Sequence, residues 1–282
     1  MNEKNSKQLS VVARFHELHA SGCFVLPNPW DVGSAIYLEH VGFKALATTS
    51  AGFAFSRGLQ DSAVPRDLML DHIREIAAAT SLPVNADFQT GYADEPEAVA
   101  ANVMRCIATG VAGLSIEDRS GSSAAPLYEF DLAVDRIKAS RAAIDASRIS
   151  VVLTARCEAW LVAEPDPLRV ATERLIAFAA AGADCLYAPG VSKPEEIGAI
   201  VKAVSPKPVN VLVSKFNSDL TVSRLADLGV RRISVGSALS SVAWGAFMSA
   251  ARRIVDAGSF DAFAAAASSR EIDDLFAKSS GQ

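Results

Sequence analysis

Short apolar runs alternate along this chain with longer stretches in which apolar side chains recur every three or four positions. The short runs fall at residues 24–26, 45–49, 83–88, 113–118, 149–155, 185–187, 209–213 and 232–235, and most are continuous enough in Val, Ile, Leu and Ala to read as strands buried on both faces. A helical pattern follows each of them. Asp31, Asp94 and Asp166 stand where those helices would be capped, Pro96 and Pro167 fall in first turns, and Ser192 with Glu195 has the spacing of a capping box. Gly42, Gly110, Gly182 and Gly229 each separate a helix from the next strand, where a left-handed residue closes a helix. Residues 50–63 read as a long loop of small residues, a length that commonly carries function. Eight strands alternating with eight helices over about 240 residues is the arithmetic of a (β/α)8 TIM barrel. The rival, a doubly wound α/β sheet, would show Gly-x-Gly-x-x-Gly after its first strand, and none occurs there. We therefore expect one barrel domain over residues 1–282. A helix within residues 1–20 would lie across one end, and a helical extension at 259–282 would pack on the barrel's own side or on a partner subunit.

Composition narrows the class. Half of the 282 residues are hydrophobic, enough for a large core in one unit. The formal net charge is −5, from 27 Lys and Arg against 32 Asp and Glu, with no basic block, so no nucleic-acid partner is expected. No apolar run approaches the roughly 20 residues that span a bilayer, and the polar first residues lack a signal's apolar centre. The 4 cysteines form no Cys-x-x-Cys pair. The expectation is a soluble cytoplasmic protein with reduced thiols and no membrane partner.

If the barrel is right, chemistry collects at the carboxyl ends of the strands. The residues delivered there are Asn28, Thr49, Ser50, Asp87, Glu117, Arg156, Tyr187 and Asn210. Asp87 and Glu117, on neighbouring strands, offer the hard oxygens that a Mg²⁺ ion takes sparingly from a protein. Arg156 offers a planar fork for a carboxylate. The small residues Ser50, Ala51 and Gly52 present backbone N–H groups to an anion. Metal, guanidinium and amides together describe a pocket for a small 2-oxo acid, with the metal polarising its carbonyl. Each residue also has a plainer reading. Asp87 and Glu117 would serve as strand-end caps or ion-pair partners, Arg156 as a bridge to Glu158, and Asp61 as a turn residue. Alternation along a strand turns Asp118 away from Glu117 and Cys157 away from Arg156, so both are read as structural. His16, His19, His40 and His72 fall on helical segments, which leaves a carboxylate, a tyrosine such as Tyr92 or Tyr187, or water to move a proton.

Several pieces, in order, carry a resemblance. They are residues 42–50, Gly58-Leu59-Gln60-Asp61-Ser62, Asn85-Ala86-Asp87-Phe88-Gln89-Thr90-Gly91-Tyr92, Ser115-Ile116-Glu117-Asp118, Thr154-Ala155-Arg156 and Asn210. Along nearly its whole length the chain resembles the isocitrate lyase/phosphoenolpyruvate mutase superfamily. That resemblance implies a Mg²⁺-dependent barrel, with Mn²⁺ as a substitute, assembled as a homotetramer (a dimer of dimers) that exchanges its C-terminal helices between subunits. It implies metal-site roles for Asp61, Asp87 and Glu117, largely through water, and contacts from Thr49, Ser50, Ala51, Arg156 and Asn210 to the substrate. Arg156, Asp61 and Glu117 would carry catalysis. The chain also departs from the pattern. The family's Asp-x-Asp is Asn85-Ala86-Asp87 here, the Lys-x-x-Cys-Gly-His lyase loop is replaced by residues 119–125 without Cys or His, and Pro189 stands where the lyases place a glutamate. The implied function is a Mg²⁺-dependent carbon–carbon lyase of a small 2-oxo or 2-hydroxy carboxylate, acting through a pyruvate enolate-like intermediate as in oxaloacetate decarboxylation. The alternatives are carbon–phosphorus chemistry on phosphoenolpyruvate or phosphonopyruvate, and a barrel that binds a 2-oxo acid without converting it.

Overall fold

A computed structural model describes residues 3–279. Eight parallel strands form its centre: β1 (Phe24–Leu26), β2 (Leu46–Ala47), β3 (Val84–Asp87), β4 (Gly113–Glu117), β5 (Val152–Arg156), β6 (Cys185–Tyr187), β7 (Val209–Leu212) and β8 (Arg232–Ser234). They are hydrogen-bonded in the order β1-β8-β7-β6-β5-β4-β3-β2. The ring closes between β1 and β2, where Ala47 N–H donates to the Pro27 carbonyl at 3.0 Å and Asn28 Nδ2 donates to the Thr48 carbonyl at 2.9 Å. This is the expected (β/α)8 barrel. Several strands are shorter than their apolar runs because tilted, staggered strands share ladder partners only over their central residues.

Helices form the outer layer: α1 (Glu3–Ala20), α2 (Val32–His40), α3 (Ser50–Ser56), α4 (Arg66–Ala78), α5 (Pro96–Ile107), α6 (Phe130–Ser147), α7 (Pro167–Ala180), α8 (Pro194–Val204), α9 (Val222–Asp227), α10 (Ala238–Ala257) and α11 (Ser269–Ser279), with a 3₁₀ turn at Asp261–Ala265. As expected, α1 crosses one end of the barrel. Its Gln8 side chain is buried and donates to the carbonyls of Ile107 (2.8 Å) and Val111 (3.0 Å), while Phe15 enters the floor between β1 and β4. Gly113 exists to admit that ring. A Cβ there would lie 2.7 Å from Phe15 Cε1 and 2.8 Å from Asn85 Oδ1.

Three local expectations are corrected. Residues 50–63 are not loop throughout: α3 begins directly after β2, because Thr49 caps it with an oxygen that accepts from Gly52 N–H at 3.2 Å. Asp94 does not cap α5. The N-cap is Glu95, without a side-chain bond, and Asp94 instead accepts from the Tyr128 hydroxyl. Ser192 and Glu195 form no capping box, since α8 starts one residue later, after Lys193. Asp31 does cap α2, in a reciprocal box with Ser34, and Asp166 caps α7. In the tail, α11 lies against α2 of its own barrel, with Phe276 over Gly33. The four cysteines are unpaired, and no helix among the described residues is long and apolar enough to cross a membrane.

Candidate functional site

Register partners on parallel strands point the same way, and the ladder places the candidate side chains in one inward row. Glu117 pairs with Arg156, Arg156 with Tyr187, and Tyr187 with Asn210. Asp87 pairs with Ser115, one inward step below Glu117 on the neighbouring strand. The geometry brings together Asp87, Glu117 and Arg156, as the barrel reading requires. Arg156 Nη1 lies 3.3 Å from Glu117 Oε2 and 3.5 Å from Asp87 Oδ1, and its Nε donates to Glu158. Its guanidinium carbon stands 5.3 Å from the centre of the Tyr187 ring. The bridge to Glu158 and the shared site are therefore not alternatives. One guanidinium serves three carboxylates, and the fork geometry of arginine allows it.

Ser50 holds Asp87 from the other side. Its N–H and Oγ–H both donate to Asp87 Oδ2, at 2.9 and 2.8 Å, which sets the first turn of α3, with Thr49 and Ala51, at the mouth of the barrel. Asn210 lies deeper, its amide donating to Ser234 Oγ and accepting from Arg232 Nε, each at 2.9 Å. Asp61 stands apart at the rim, its Oδ1 accepting from Ser62 N–H at 2.9 Å. Asp118 points outward as expected, to Arg174 Nη1 at 3.2 Å and to the Glu158 N–H at 2.9 Å. Residues 119–127 close on themselves through an Arg119–Leu127 bridge and a Ser120 N–H to Pro126 carbonyl bond of 2.9 Å. Sequence reasoning passed over Arg232, which opens the eighth strand. Its inward direction follows from register with Asn210, a relation that exists only once strands are paired.

The electrostatics follow from crowding acid around a single cation. Burial pushes the Glu117 carboxyl up to about 8 against the pull of Arg156, and Glu158, Asp87 and Asp118 add repulsion. Burial works against the Arg156 charge as well, but Glu158 and Glu117 together raise its pKa. Burial of the Asp61 carboxyl, then the like charge of Asp87, raise that group too, although the residue as a whole is exposed. The Tyr92 hydroxyl is buried with no hydrogen-bond partner, and after burial the charges of Asp87 and Glu117 are the next causes that raise its pKa. Asp87, Glu117 and Glu158 thus share one positive charge, and a buried phenol oxygen nearby lacks a partner. That donor set is hard, anionic and short of positive charge, which fits a hydrated divalent cation. Among the described residues no three His, Cys, Asp or Glu side chains converge tightly enough to enclose a metal directly. Mg²⁺ does not require it, since it keeps several waters and takes one or two carboxylates.

A cavity of about 50 Å³ lies below Arg156, lined by Asp87, Tyr187, Asn210, Arg232, Ser234 and Asn28 among others. A larger one, about 620 Å³, opens at the opposite end of the barrel between α1 and α4 and is lined by Gln8, Val11, Ala77 and Leu82. The smaller cavity has the convergent charged groups, and we take it as the floor of the site.

Fold and site together define a class: an α/β-barrel protein whose polar groups gather at the carboxyl ends of its strands, the layout of barrel enzymes. The family model described as phosphoenolpyruvate phosphomutase matches residues 15–255. The chain belongs to the isocitrate lyase/phosphoenolpyruvate mutase superfamily. It is 35% identical over 245 residues to Rv1998c of Mycobacterium tuberculosis, covering 86% of this chain and 89% of that one. Over 172 residues it is 32% identical to 2-methylisocitrate lyase of Escherichia coli, covering 58% and 56%. A solved structure from Burkholderia cenocepacia J2315, classed as a lyase/mutase without a named reaction, superposes with a TM-score of 0.93 at 44% identity over 96% of this chain and 97% of that one. Oxaloacetate acetylhydrolase, solved with its product oxalate, superposes at 0.83 with 25% identity, covering 97% and 99%. These relatives support a lyase or mutase of this superfamily.

Proposed function

We propose that this protein is a Mg²⁺-dependent carbon–carbon lyase acting on a small 2-oxo or 2-hydroxy carboxylate, with an oxaloacetate-type substrate as the leading case. The observation that carries the reading is the Arg156 guanidinium, within 3.5 Å of both Asp87 and Glu117 at the mouth of the barrel, in a chain similar over 97% of its length to an enzyme solved with oxalate. Asp87 and Glu117 would hold the cation, largely through water, and Asp61 at the rim would complete its surroundings. Bound Mg²⁺ supplies Lewis acidity toward a 2-oxo group and lowers the energy of the enolate that forms when the neighbouring bond breaks. The chain's own residues do the rest. Arg156 exchanges a carboxylate partner for the substrate's carboxylate and fixes its plane. Ser50 orients Asp87, while Thr49 and Ala51 place the first turn of α3 over the substrate. Asn210 lines the cavity floor. Arg156, Glu117 and, from the rim, Asp61 are the residues assigned to catalysis.

The test is turnover of a panel of small dicarboxylates and 2-methylisocitrate with Mg²⁺ and after EDTA. The expected result is cleavage of a four-carbon 2-oxo acid that chelation abolishes and Mg²⁺ or Mn²⁺ restores. Undiminished turnover in EDTA would remove the metal from the mechanism. A second reading, carbon–phosphorus chemistry on phosphonopyruvate, is favoured by the description of the matching family model; ³¹P NMR of the reaction separates it. A barrel that binds without converting is motivated by Asn85, whose Oδ1 is buried with no partner where relatives of the resembled pattern carry a carboxylate. Any turnover excludes it.

The same reading includes the oligomer. The exposed face of α10 carries Val242, Trp244, Phe247 and Met248, beside Trp30 and Phe55, a contiguous apolar surface of the kind that subunits cover. We assign it to a homotetramer in which α10 packs across subunits.

A further inference from the structure

A guanidinium can take a carboxylate along two edges, the side formed by Nε and one terminal nitrogen or the end formed by the two terminal nitrogens. At Arg156 the side edge is already taken. Nε donates to Glu158, a carboxylate two positions further along the chain that is 1% exposed. Nη1 has looser company: Glu117 and Asp87 stand 3.3 and 3.5 Å away, beyond the roughly 2.7–2.9 Å of a charge-assisted hydrogen bond. Those two side chains are also the more open, at 10% and 18% exposure. Against the burial that disfavours the Arg156 charge, Glu158 acts more strongly than Glu117.

Glu158 is itself fixed from behind. Strand alternation turns Asp118 out of the barrel, and there it brackets the segment Arg156-Cys157-Glu158. Its N–H donates to the Arg156 carbonyl at 3.1 Å, and its Oδ1 accepts the Glu158 N–H at 2.9 Å. Asp118 Oδ2 accepts from Arg174 Nη1 at 3.2 Å, and Arg174 Nη2 donates to the Tyr128 carbonyl at 2.8 Å. The Glu158 carbonyl accepts from the N–H groups of Leu161 and Val162, at 2.8 and 3.0 Å. With its main chain held on both sides and its side chain buried, Glu158 can leave Arg156 only by becoming an unpaired buried carboxylate, which is costly. Asp87 and Glu117 stand at the mouth, where a cation can take over their pairing.

We propose that Glu158 is a positioning residue that keeps the side edge of Arg156 throughout binding, so that the substrate's carboxylate docks end-on across Nη1 and Nη2 and Asp87 and Glu117 are the partners released. The assignment deepens the lyase reading above and rests on it. Releasing Asp87 and Glu117, and not Glu158, frees two carboxylates for the cation as the substrate arrives. Arg156 is the group that touches the substrate. Glu158, with Asp118 and Arg174 behind it, touches only protein and acts through the direction of the fork.

The experiment is a crystal structure of the wild type with Mg²⁺ and oxalate, together with calorimetric oxalate affinity in Mg²⁺ for the wild type, E158Q, E158L, R156K and the R156K/E158L double variant. In the wild type an oxalate carboxylate should span Nη1 and Nη2, with Nε still on Glu158. E158Q keeps an acceptor oxygen for Nε and should bind oxalate within about threefold of wild type. E158L removes the acceptor, leaves Arg156 its pairing with Asp87 and Glu117, and should weaken oxalate about 30-fold. Lysine has no side edge to hold, so in the R156K background the same change should cost less than about threefold. Oxalate seated on Nε with Glu158 turned away overturns the assignment and leaves the lyase reading intact. An equal loss from E158L in both backgrounds overturns it too, because Glu158 would then act on the fold and not on the fork. A wild type that binds no oxalate in Mg²⁺, or binds it away from Arg156, overturns both. The wild-type complex alone reads which edge is used, so a variant that fails to fold does not shield the proposal.

Discussion

Arg156 shows how much of a site's chemistry is decided by what surrounds one side chain. Three carboxylates converge on its fork, and Glu117 is 9% exposed, so the acids of the mouth outnumber the one guanidinium that serves them. The same physics acts on histidine away from the site. His72 on α4 is 3% exposed and stacks on Phe53 with ring centres 3.8 Å apart, and its Nε2 has no partner. Burial brings its pKa down to about 4, with the charge of Asp31 opposing. A depressed histidine is neutral in the fold while the unfolded chain takes a proton, so its stabilising effect is complete above about 6.5 and is lost as pH falls toward 4. Chemical denaturation at a series of pH values should show His72 contributing a loss on the order of 3 kcal/mol over that window, read as the difference between wild type and His72→Phe and separate from the loss His19 adds. In His72→Phe the slope should flatten. An unchanged slope would mean the ring is solvated or protonated in the fold.

At the scale of elements, the pairing of α1 with β4 decides whether the barrel floor closes. Gly113 lets Phe15 enter, with the Val152 carbonyl only 3.0 Å from where a Cβ would stand. Gly113→Ala should cost about 1–3 kcal/mol through overpacking, because all three nearest atoms belong to buried neighbours, one of them a backbone carbonyl. Thermal melting reads this as a drop of about 2–4 °C per kcal/mol for a chain of this size. No change in melting temperature would show that α1 is loosely docked. Most of this level was legible beforehand. The eight strands, their helices and the crossing of α1 follow from apolar period and glycine punctuation. Asp87, Glu117 and Arg156 follow from the rule that strand ends carry chemistry. The capping assignments at Asp94 and Ser192 failed because a side chain's partner is chosen in three dimensions: Tyr128 is 34 positions from Asp94. Helix α3 was hidden because a seven-residue helix with small side chains has too few turns to show a period. Arg232 was hidden for a different reason, since a charged residue at the start of a strand looks like surface until register turns it inward.

For the molecule as a whole, α10 poses the question. As the eighth barrel helix it should bury one face, yet Val242, Phe247 and Val255 are 70%, 63% and 83% exposed, and Ser240 alone of its residues is buried. A surface this apolar in an otherwise well-buried barrel calls for a partner, and a second copy of the chain is the occupant assigned above. Light scattering on the purified protein should give the mass of four copies, and Phe247→Glu should reduce it. A wild-type monomer at micromolar concentration would leave α10 unexplained. The central claim is the shared cation and carboxylate site, and a crystal structure grown with Mg²⁺ and oxalate tests it most directly. The account predicts a metal reached by Asp87 and Glu117, directly or through water, with an oxalate carboxylate on Arg156. Oxalate and metal bound elsewhere, with Arg156 still joined to Asp87 and Glu117, would contradict it.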